Sequence, residues 1–440
     1  MRCISFGLLP CEETAVRRDT PSRDSASHTS SLSEPPPTGC VRRHNSQPPP
    51  AEWGHSGAMR WSRRSAFAGE DNPLTAAVRE ARRSGRSPTD LTVSNPTRAG
   101  LPYDQDAVLG PLRSADGLRY APESLGTRGA RHAVAETFGV PPGRVVITAS
   151  TSEAYGFLLK VLCDPGDRVL APQPSYPLLA HLTKLEGVAL SPYYLRFDGR
   201  FYVDPASVRQ AMSFGARAVL AVSPNNPTGS YLDADDLRAL DATNVPIVVD
   251  EVFHTYPLEG GAATARETAF SMERPRVVVG GLSKLAGLPQ MKAGWILVGG
   301  DEAFAQPLLQ RLEVVADAYL SVSTPAQLAL PHWLARREHT ASAIRTRTRT
   351  NLETLRALIP EGSAITVPKV EGGWYACLRV PRTRNDESWA LRILEADDVL
   401  VQPGYFYDFE DGWLVVSLLT PADDFRTGAT KLIARIDQEA

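Results

Sequence analysis

The chain has 440 residues, 42% of them hydrophobic and 22% charged, with a formal net charge of -3 at pH 7. That length allows a large core and more than one lobe. The near-neutral balance argues against nucleic acid or a membrane surface as the main partner, and no stretch approaches the roughly 18 unbroken apolar residues of a spanning helix. Cys3, Cys11 and Cys40 fall near the start, and only Cys163 and Cys377 lie in the part that reads as folded. This excludes a disulfide framework and points to a reducing, cytoplasmic compartment. The eight histidines form no ligand-spaced cluster, so no metal site is expected.

Residues 1–58 are rich in Ser, Pro and Arg, with PPP at 35–37 and 48–50. Such a segment buries too little apolar area to offset its ordering entropy, so a disordered tail is expected there. Its opening residues lack the apolar core and small-residue cleavage site of a secretory signal. An N-terminal arm follows over 59–104, with a helix at 73–84 and an extended stretch at 91–94 that ends in Asn95-Pro96-Thr97-Arg98. Short, Val-rich runs, apolar on both faces, then recur at 145–148, 168–171, 218–223, 246–250, 276–279 and 295–298. Helical stretches such as 152–162 and 233–240 lie between them. The pattern predicts an α/β fold, a mostly parallel central sheet sandwiched by helices, over a large domain at 105–315. Ligands of such sheets sit beyond the carboxyl ends of the strands. Beyond 298 one long helix is expected at 302–329 and another at 345–358. Strand, helix and strand follow at 374–380, 388–396 and 414–419, a smaller α+β lobe over 316–440 that the N-terminal arm joins.

The chemistry-bearing residues follow the predicted strands. After 276–279 come two glycines and then Ser283-Lys284, with Gly287, Pro289 and Lys292 beyond. A lysine just past a buried strand can be desolvated and aimed, which lowers its pKa and suits it to nucleophilic amine chemistry. After 145–148 come Ser150, Thr151 and Ser152 at the start of a helix, where free N–H groups, hydroxyls and the positive dipole end form an anion or phosphate cup. An ordinary N-cap reads the same way. After 168–171, Tyr176 stands between Pro174 and Pro177, able to stack on a flat ring or on the core. After 218–223 comes Pro224-Asn225-Asn226-Pro227-Thr228-Gly229, a rigid turn with side-chain amides. The run at 246–250 ends in Asp250-Glu251, and a carboxylate there needs a cationic partner or a cap.

In this order and rough spacing, Lys284, the cup at 150–154, Tyr176, the PNNPTG turn and Asp250 resemble fold-type-I pyridoxal-phosphate enzymes, most closely the class I/II aminotransferases. The resemblance spans about residues 75–435. It implies pyridoxal 5′-phosphate as cofactor and a small-molecule amino donor and carbonyl acceptor as substrates. Lys284 would hold the cofactor aldehyde as a Schiff base and carry the substrate's α-proton. Asp250 would pair with the pyridine nitrogen, Asn226 would donate to the ring 3-oxygen, and Tyr176 would stack on the ring. Ser150, Thr151 and Ser152, with Ser283 and Lys292, would hold the phosphate. Tyr120, in Tyr120-Ala121-Pro122-Glu123, matches a tyrosine that reaches the partner subunit's phosphate, which implies a homodimer with shared active sites. The same lysine–aspartate core also serves oxidases, lyases, cyclases and decarboxylases, and more distantly cofactor-binding regulators.

Three positions depart from the family pattern. Phe253 stands where a tyrosine usually bonds the ring oxygen, and Tyr256 lies nearby in sequence. Lys292 stands where an arginine usually holds the phosphate, giving a point charge rather than a fork. Val415 stands where an arginine usually grips the substrate carboxylate as a bidentate pair, with Arg98 as a weak substitute.

Overall fold

The computed structural model describes residues 61–67, 72–259, 267–320 and 322–440. The tail expected over 1–58 lies outside the described residues. The first strand, β1 (Thr89–Asp90), belongs to a small two-stranded pair. The central sheet then takes β2 (Val145–Thr148), β3 (Arg168–Gln173), β4 (Ala189–Asp198), β5 (Arg200–Val203), β6 (Ala218–Val222), β7 (Ile247–Asp250), β8 (Arg276–Gly281) and β9 (Gly294–Val298). Its order is β2-β9-β8-β7-β6-β3-β4-β5. Neighbours from β8 through β7, β6 and β3 to β4 run parallel, while β9 runs antiparallel to both β2 and β8. Two reversals restore direction, so β2 points the same way as β8. The carboxyl ends of β2, β3, β6, β7 and β8 therefore open on one edge, and every loop singled out in the sequence leaves from that edge.

Continuous apolar strands are explained by burial on both faces. Ile147, Leu170, Val219, Val249 and Val278 enter one core with the helices Arg128–Phe138 and Thr324–Ala335. Their neighbours Val146, Val169, Leu220, Val248 and Val277 enter the opposite core with the helices Thr151–Leu162 and Glu302–Tyr319. Successive residues of a strand point to opposite faces, so each strand feeds both layers.

Two expectations need correction. β4 and β5 are absent from the sequence reading, because β4 alternates buried and exposed positions toward its end rather than running apolar throughout. The single helix expected at 302–329 is two, Glu302–Tyr319 and Thr324–Ala335. Leu320 caps the first with a positive φ of 68° and an extended ψ of 162°, and Pro325 occupies the first turn of the second, where its missing N–H is harmless.

The remaining strands are β10 (Tyr375–Arg379), β11 (Val399–Leu400), β12 (Gln402–Pro403) and β13 (Trp413–Ser417). β10, β13 and β12 form an antiparallel sheet, and β11 pairs with β1 in parallel. The segment after β1 is tied across: Ser417 N donates to Leu91 O at 2.7 Å and Ser417 Oγ to Val93 O at 2.5 Å. Among the described residues no helix is long and apolar enough to cross a membrane.

Candidate active site

Asp250 ends β7, the strand between β8 and β6. Its carboxylate is buried and held twice. Val252 N donates to Oδ1 at 3.0 Å, and Tyr155 OH donates to Oδ2 at 3.2 Å. Burial is the largest influence on its pKa and pushes it up to about 6, against the lowering effects of Val252 N–H, Tyr155 and Lys284. Among the described residues this carboxylate has no direct ion-pair partner, and Lys284 is the cation that acts on it from nearby.

Lys284 lies in the one-turn helix Leu282–Leu285 that leaves β8. Burial lowers its pKa to about 8, and Asp250 pulls it back up. Its Nζ lies 5.5 Å from the ring centre of Phe253 and 4.9 Å from that of Trp374, so aromatic surfaces flank the half-buried amine. The approach of β8 to its neighbour requires glycine: a Cβ at Gly280 would sit 2.6 Å from Trp295 Nε1. Tyr256 OH donates to Lys284 O at 2.5 Å. That hydroxyl braces the lysine's backbone and does not replace the phenol missing at Phe253.

Asn225 and Asn226 have different parts. Asn225 Oδ1 accepts from Ser175 Oγ at 2.8 Å, and its Nδ2 donates to Pro174 O at 3.1 Å and to Thr228 Oγ1 at 3.0 Å. It welds the loop after β6 to the loop after β3, which carries Tyr176. Asn226 is buried too, yet its Oδ1 has no hydrogen-bond partner. Buried polar groups are nearly always satisfied, so an orphaned amide at a strand end marks a ligand position. Tyr176 packs against the core of the sheet's second face, and burial, then Asp250, raises its hydroxyl pKa.

At the end of β2, Ser150 caps the helix Thr151–Leu162 by accepting Glu153 N on Oγ at 3.1 Å. Glu153 reaches back to Ala149 N at 2.6 Å. The Ser150 hydroxyl proton and the first-turn N–H groups of Thr151 and Ser152 remain available, because no carbonyl of the helix can reach them. Gly294 brings β9 against this cup, since a Cβ there would lie 3.0 Å from the Ser150 carbonyl carbon. A Cβ on Gly281, just ahead of Ser283, would lie 3.8 Å from Thr151 Cγ2. Lys292 follows the turn Pro289–Met291 with left-handed backbone, φ 51°, and an exposed side chain. Tyr120 is 80% exposed on the single chain.

Val415 is fully buried on β13, opposite Cys377 and Gln402. It packs in one cluster with Phe253, Trp374, Tyr375 and Tyr407. Arg98 is exposed in the turn Pro96–Arg98. Two residues at this site had escaped the sequence reading. Tyr155 looks like any core aromatic of an apolar helix, and only the fold brings it to Asp250. Trp374 arrives from the far end of the chain, and the Gly-Gly before it was its one local signal.

A parallel sheet with a lysine, an aspartate and an anion cup on one edge defines the pyridoxal-phosphate fold of type I. The family description "Aminotransferase class I and II" matches residues 105–431, and the chain belongs to that family. Its cofactor is pyridoxal 5′-phosphate. Among relatives, the chain is 24% identical to glutamate-pyruvate aminotransferase AlaA of Haemophilus influenzae, over 74% of this chain and 85% of that one. It is 25% identical to valine–pyruvate aminotransferase of Mycobacterium tuberculosis, over 81% of this chain and 93% of that one. Among solved structures, alanine aminotransferase from Pyrococcus furiosus superposes with a TM-score of 0.74 at 23% identity, covering 86% of this chain and all (100%) of that one. These relatives are aminotransferases, and nothing in them favours the oxidase, lyase or regulator alternatives.

Proposed function

We propose that this aminotransferase works through Lys284 and Asp250, moving an amino group from a small-molecule donor to a carbonyl acceptor. The observation that carries the reading is the pairing of a desolvated amine, pKa about 8, with a buried carboxylate, pKa about 6, at adjacent strand ends. The residues fit the cofactor. Asn226, buried at the strand end with its Oδ1 unpartnered, carries an amide whose N–H would donate to a ring oxygen. Asp250, locked by Tyr155 and Val252, is oriented to take a protonated ring nitrogen. Ser150, Thr151 and Ser152, with Ser283 and Lys292, supply hydroxyls, free N–H groups and a positive charge for a phosphate. Tyr176 supplies an aromatic face.

Pyridoxal 5′-phosphate, when bound, supplies an aldehyde that takes up the amino nitrogen and a ring that withdraws the electrons released at the substrate carbon. The chain does the rest. Lys284 Nζ would hold the aldehyde at rest and, when free, would carry the substrate's α-proton, a task for which a pKa near the working pH is well matched. Asp250 would set its charge against the ring nitrogen and so keep that nitrogen protonated. Fixed anchors at five strand ends hold the reacting bond in one orientation.

The reading includes a homodimer in which Tyr120, exposed on one protomer, reaches the phosphate of its partner. It also includes a cytoplasmic setting, supported by Cys163 and Cys377 as free, buried thiols. The domain reading stands alongside: a large cofactor-binding domain over 105–315, and a smaller C-terminal domain over 316–440 that the N-terminal arm at 59–104 joins. The test is a half-reaction. A donor amine should bleach the visible band of the loaded protein, and a 2-oxo acid should restore it. Loss of the band with release of peroxide or carbon dioxide would contradict transamination.

A further inference from the structure

Lys284 lies in the one-turn helix Leu282–Leu285, whose last carbonyls point out of its end and need donors from elsewhere. Two tyrosines meet the backbone there. Tyr256 OH donates to Lys284 O at 2.5 Å and lies 3.4 Å from Leu285 O. Tyr103 OH donates to Gly287 O at 2.6 Å. Gly287 N donates to Lys284 O at 3.2 Å, so both phenols close on one short loop of backbone. Gly287 reverses the chain with φ 66°, and a Cβ there would lie 2.9 Å from Thr340 Cγ2 and 3.2 Å from Tyr103 OH. The turn that carries the lysine is thus held by the loop after β7, by the N-terminal arm and by the helix Glu338–Leu358.

Tyr256 also acts near the amine. It is fully buried, and its ring meets that of Trp374 edge to face with centroids 5.2 Å apart. Its carbonyl accepts Gly373 N at 2.9 Å, which fixes the peptide ahead of Trp374. Trp374 in turn flanks Lys284 Nζ at 4.9 Å. One residue therefore sets the root of the lysine and a wall beside its tip. Burial pushes the pKa of both phenols up, Tyr103 to about 12, so each stays a protonated donor at working pH and neither is a base.

Resting on the aminotransferase reading above, we infer that Tyr256, seconded by Tyr103, is a positioning residue for Lys284. The two hydroxyls fix the backbone from which the amine serves the cofactor aldehyde and the substrate's α-proton. Without the Tyr256 hydroxyl, Lys284 O keeps only the backbone donors that follow it, and the turn is free to shift. A displacement of about 1 Å in a reacting group costs about a hundred-fold in rate. The free amine acts after the donor has bound, so the loss belongs in kcat and not in KM.

The test uses the cofactor-loaded, full-length protein and, as amino donor, the fastest of alanine, glutamate and phenethylamine in the half-reaction. Tyr256→Phe keeps the ring and removes the hydroxyl. It should lower kcat by about ten- to a hundred-fold and leave KM within about two-fold. In Lys284→Ala with methylamine added as a free base, the same substitution should change the rate by less than about two-fold, because a residue that acts through Lys284 has nothing left to aim. Amide exchange over 282–288, which needs no donor, should quicken about ten-fold in Tyr256→Phe and stay unchanged in the helix Thr151–Leu162. Tyr103→Phe should repeat the pattern at smaller size, and it decides the matter where Tyr256→Phe does not fold. Full kcat in Tyr256→Phe, unaltered exchange over 282–288, or an equal loss of rate in the Lys284→Ala background each overturns the inference and leaves the aminotransferase reading standing. Failure of the unaltered protein with all three donors overturns both.

Discussion

Tyr155 donates its phenol hydroxyl to Asp250 Oδ2 at 3.2 Å, from the helix whose first turn carries the anion cup. One rigid element thus sets both ends of the proposed cofactor site, the cup for the phosphate and the carboxylate for the ring nitrogen. The bond lowers the Asp250 pKa, while burial raises it to about 6. Tyr155→Phe should therefore push that pKa higher. The carboxylate exists only above its pKa, so cofactor affinity should fall at higher pH in the variant than in the unaltered protein. Cofactor titrations from pH 5 to 8 check this, and an unchanged acid limb would remove Tyr155 from the account.

Lys284 titrates at about 8 in the fold against an ordinary 10.5. The folded pKa lies below the unfolded one, so the unfolded chain binds more protons between those values. Stability of the cofactor-free protein should climb as pH rises through that window, and the full penalty applies below about pH 8. Lys284→Met should then stabilise the cofactor-free protein at pH 7 by roughly 2–3 kcal/mol, with the gain shrinking toward pH 10. Thermal melts across that range measure it. A gain independent of pH would mean that the amine is not strained by burial.

Asn226 should separate folding from binding. Its Oδ1 makes no hydrogen bond in the fold, so an apolar residue of similar shape removes an unsatisfied group. Asn226→Leu should leave cofactor-free stability within about 1 kcal/mol or raise it, while cofactor binding weakens about ten-fold or more. Asn225→Leu should do the reverse, because Asn225 holds two loops together. Denaturant melts and cofactor titrations on both variants check the contrast.

What was legible in the sequence followed from local rules. Buried strands announce themselves as apolar runs, and Asp250, Asn226 and Lys284 stand at or within a few residues of a strand end, so strand and motif are read together. The fate of the two asparagines was not legible, because it depends on Ser175 and Pro174 from another loop. Tyr155 and Trp374 were hidden for a similar reason. Each looks like core filling in its own segment, and only the packing of helix against sheet, and of the C-terminal lobe against the lysine, gives it a chemical neighbour. β4 was missed because its outer half is wetted on one face and reads as ordinary polar chain.

Tyr120 tests the proposed dimer. Tyr120→Ala and Lys284→Ala should each lack activity or nearly so. When the two are unfolded together and refolded, mixed dimers hold one intact shared site, and activity should return. Light scattering should give twice the chain mass. No recovery from a mixture that light scattering finds dimeric would contradict shared sites.

The central claim is a covalent one, that Lys284 Nζ carries the cofactor aldehyde. Borohydride reduction of the loaded protein, followed by digestion and mass mapping, tests it directly. The account predicts a reduced cofactor adduct on the peptide containing Lys284, with the visible band absent from Lys284→Ala. An adduct on another lysine, or a visible band that persists in Lys284→Ala, would contradict it.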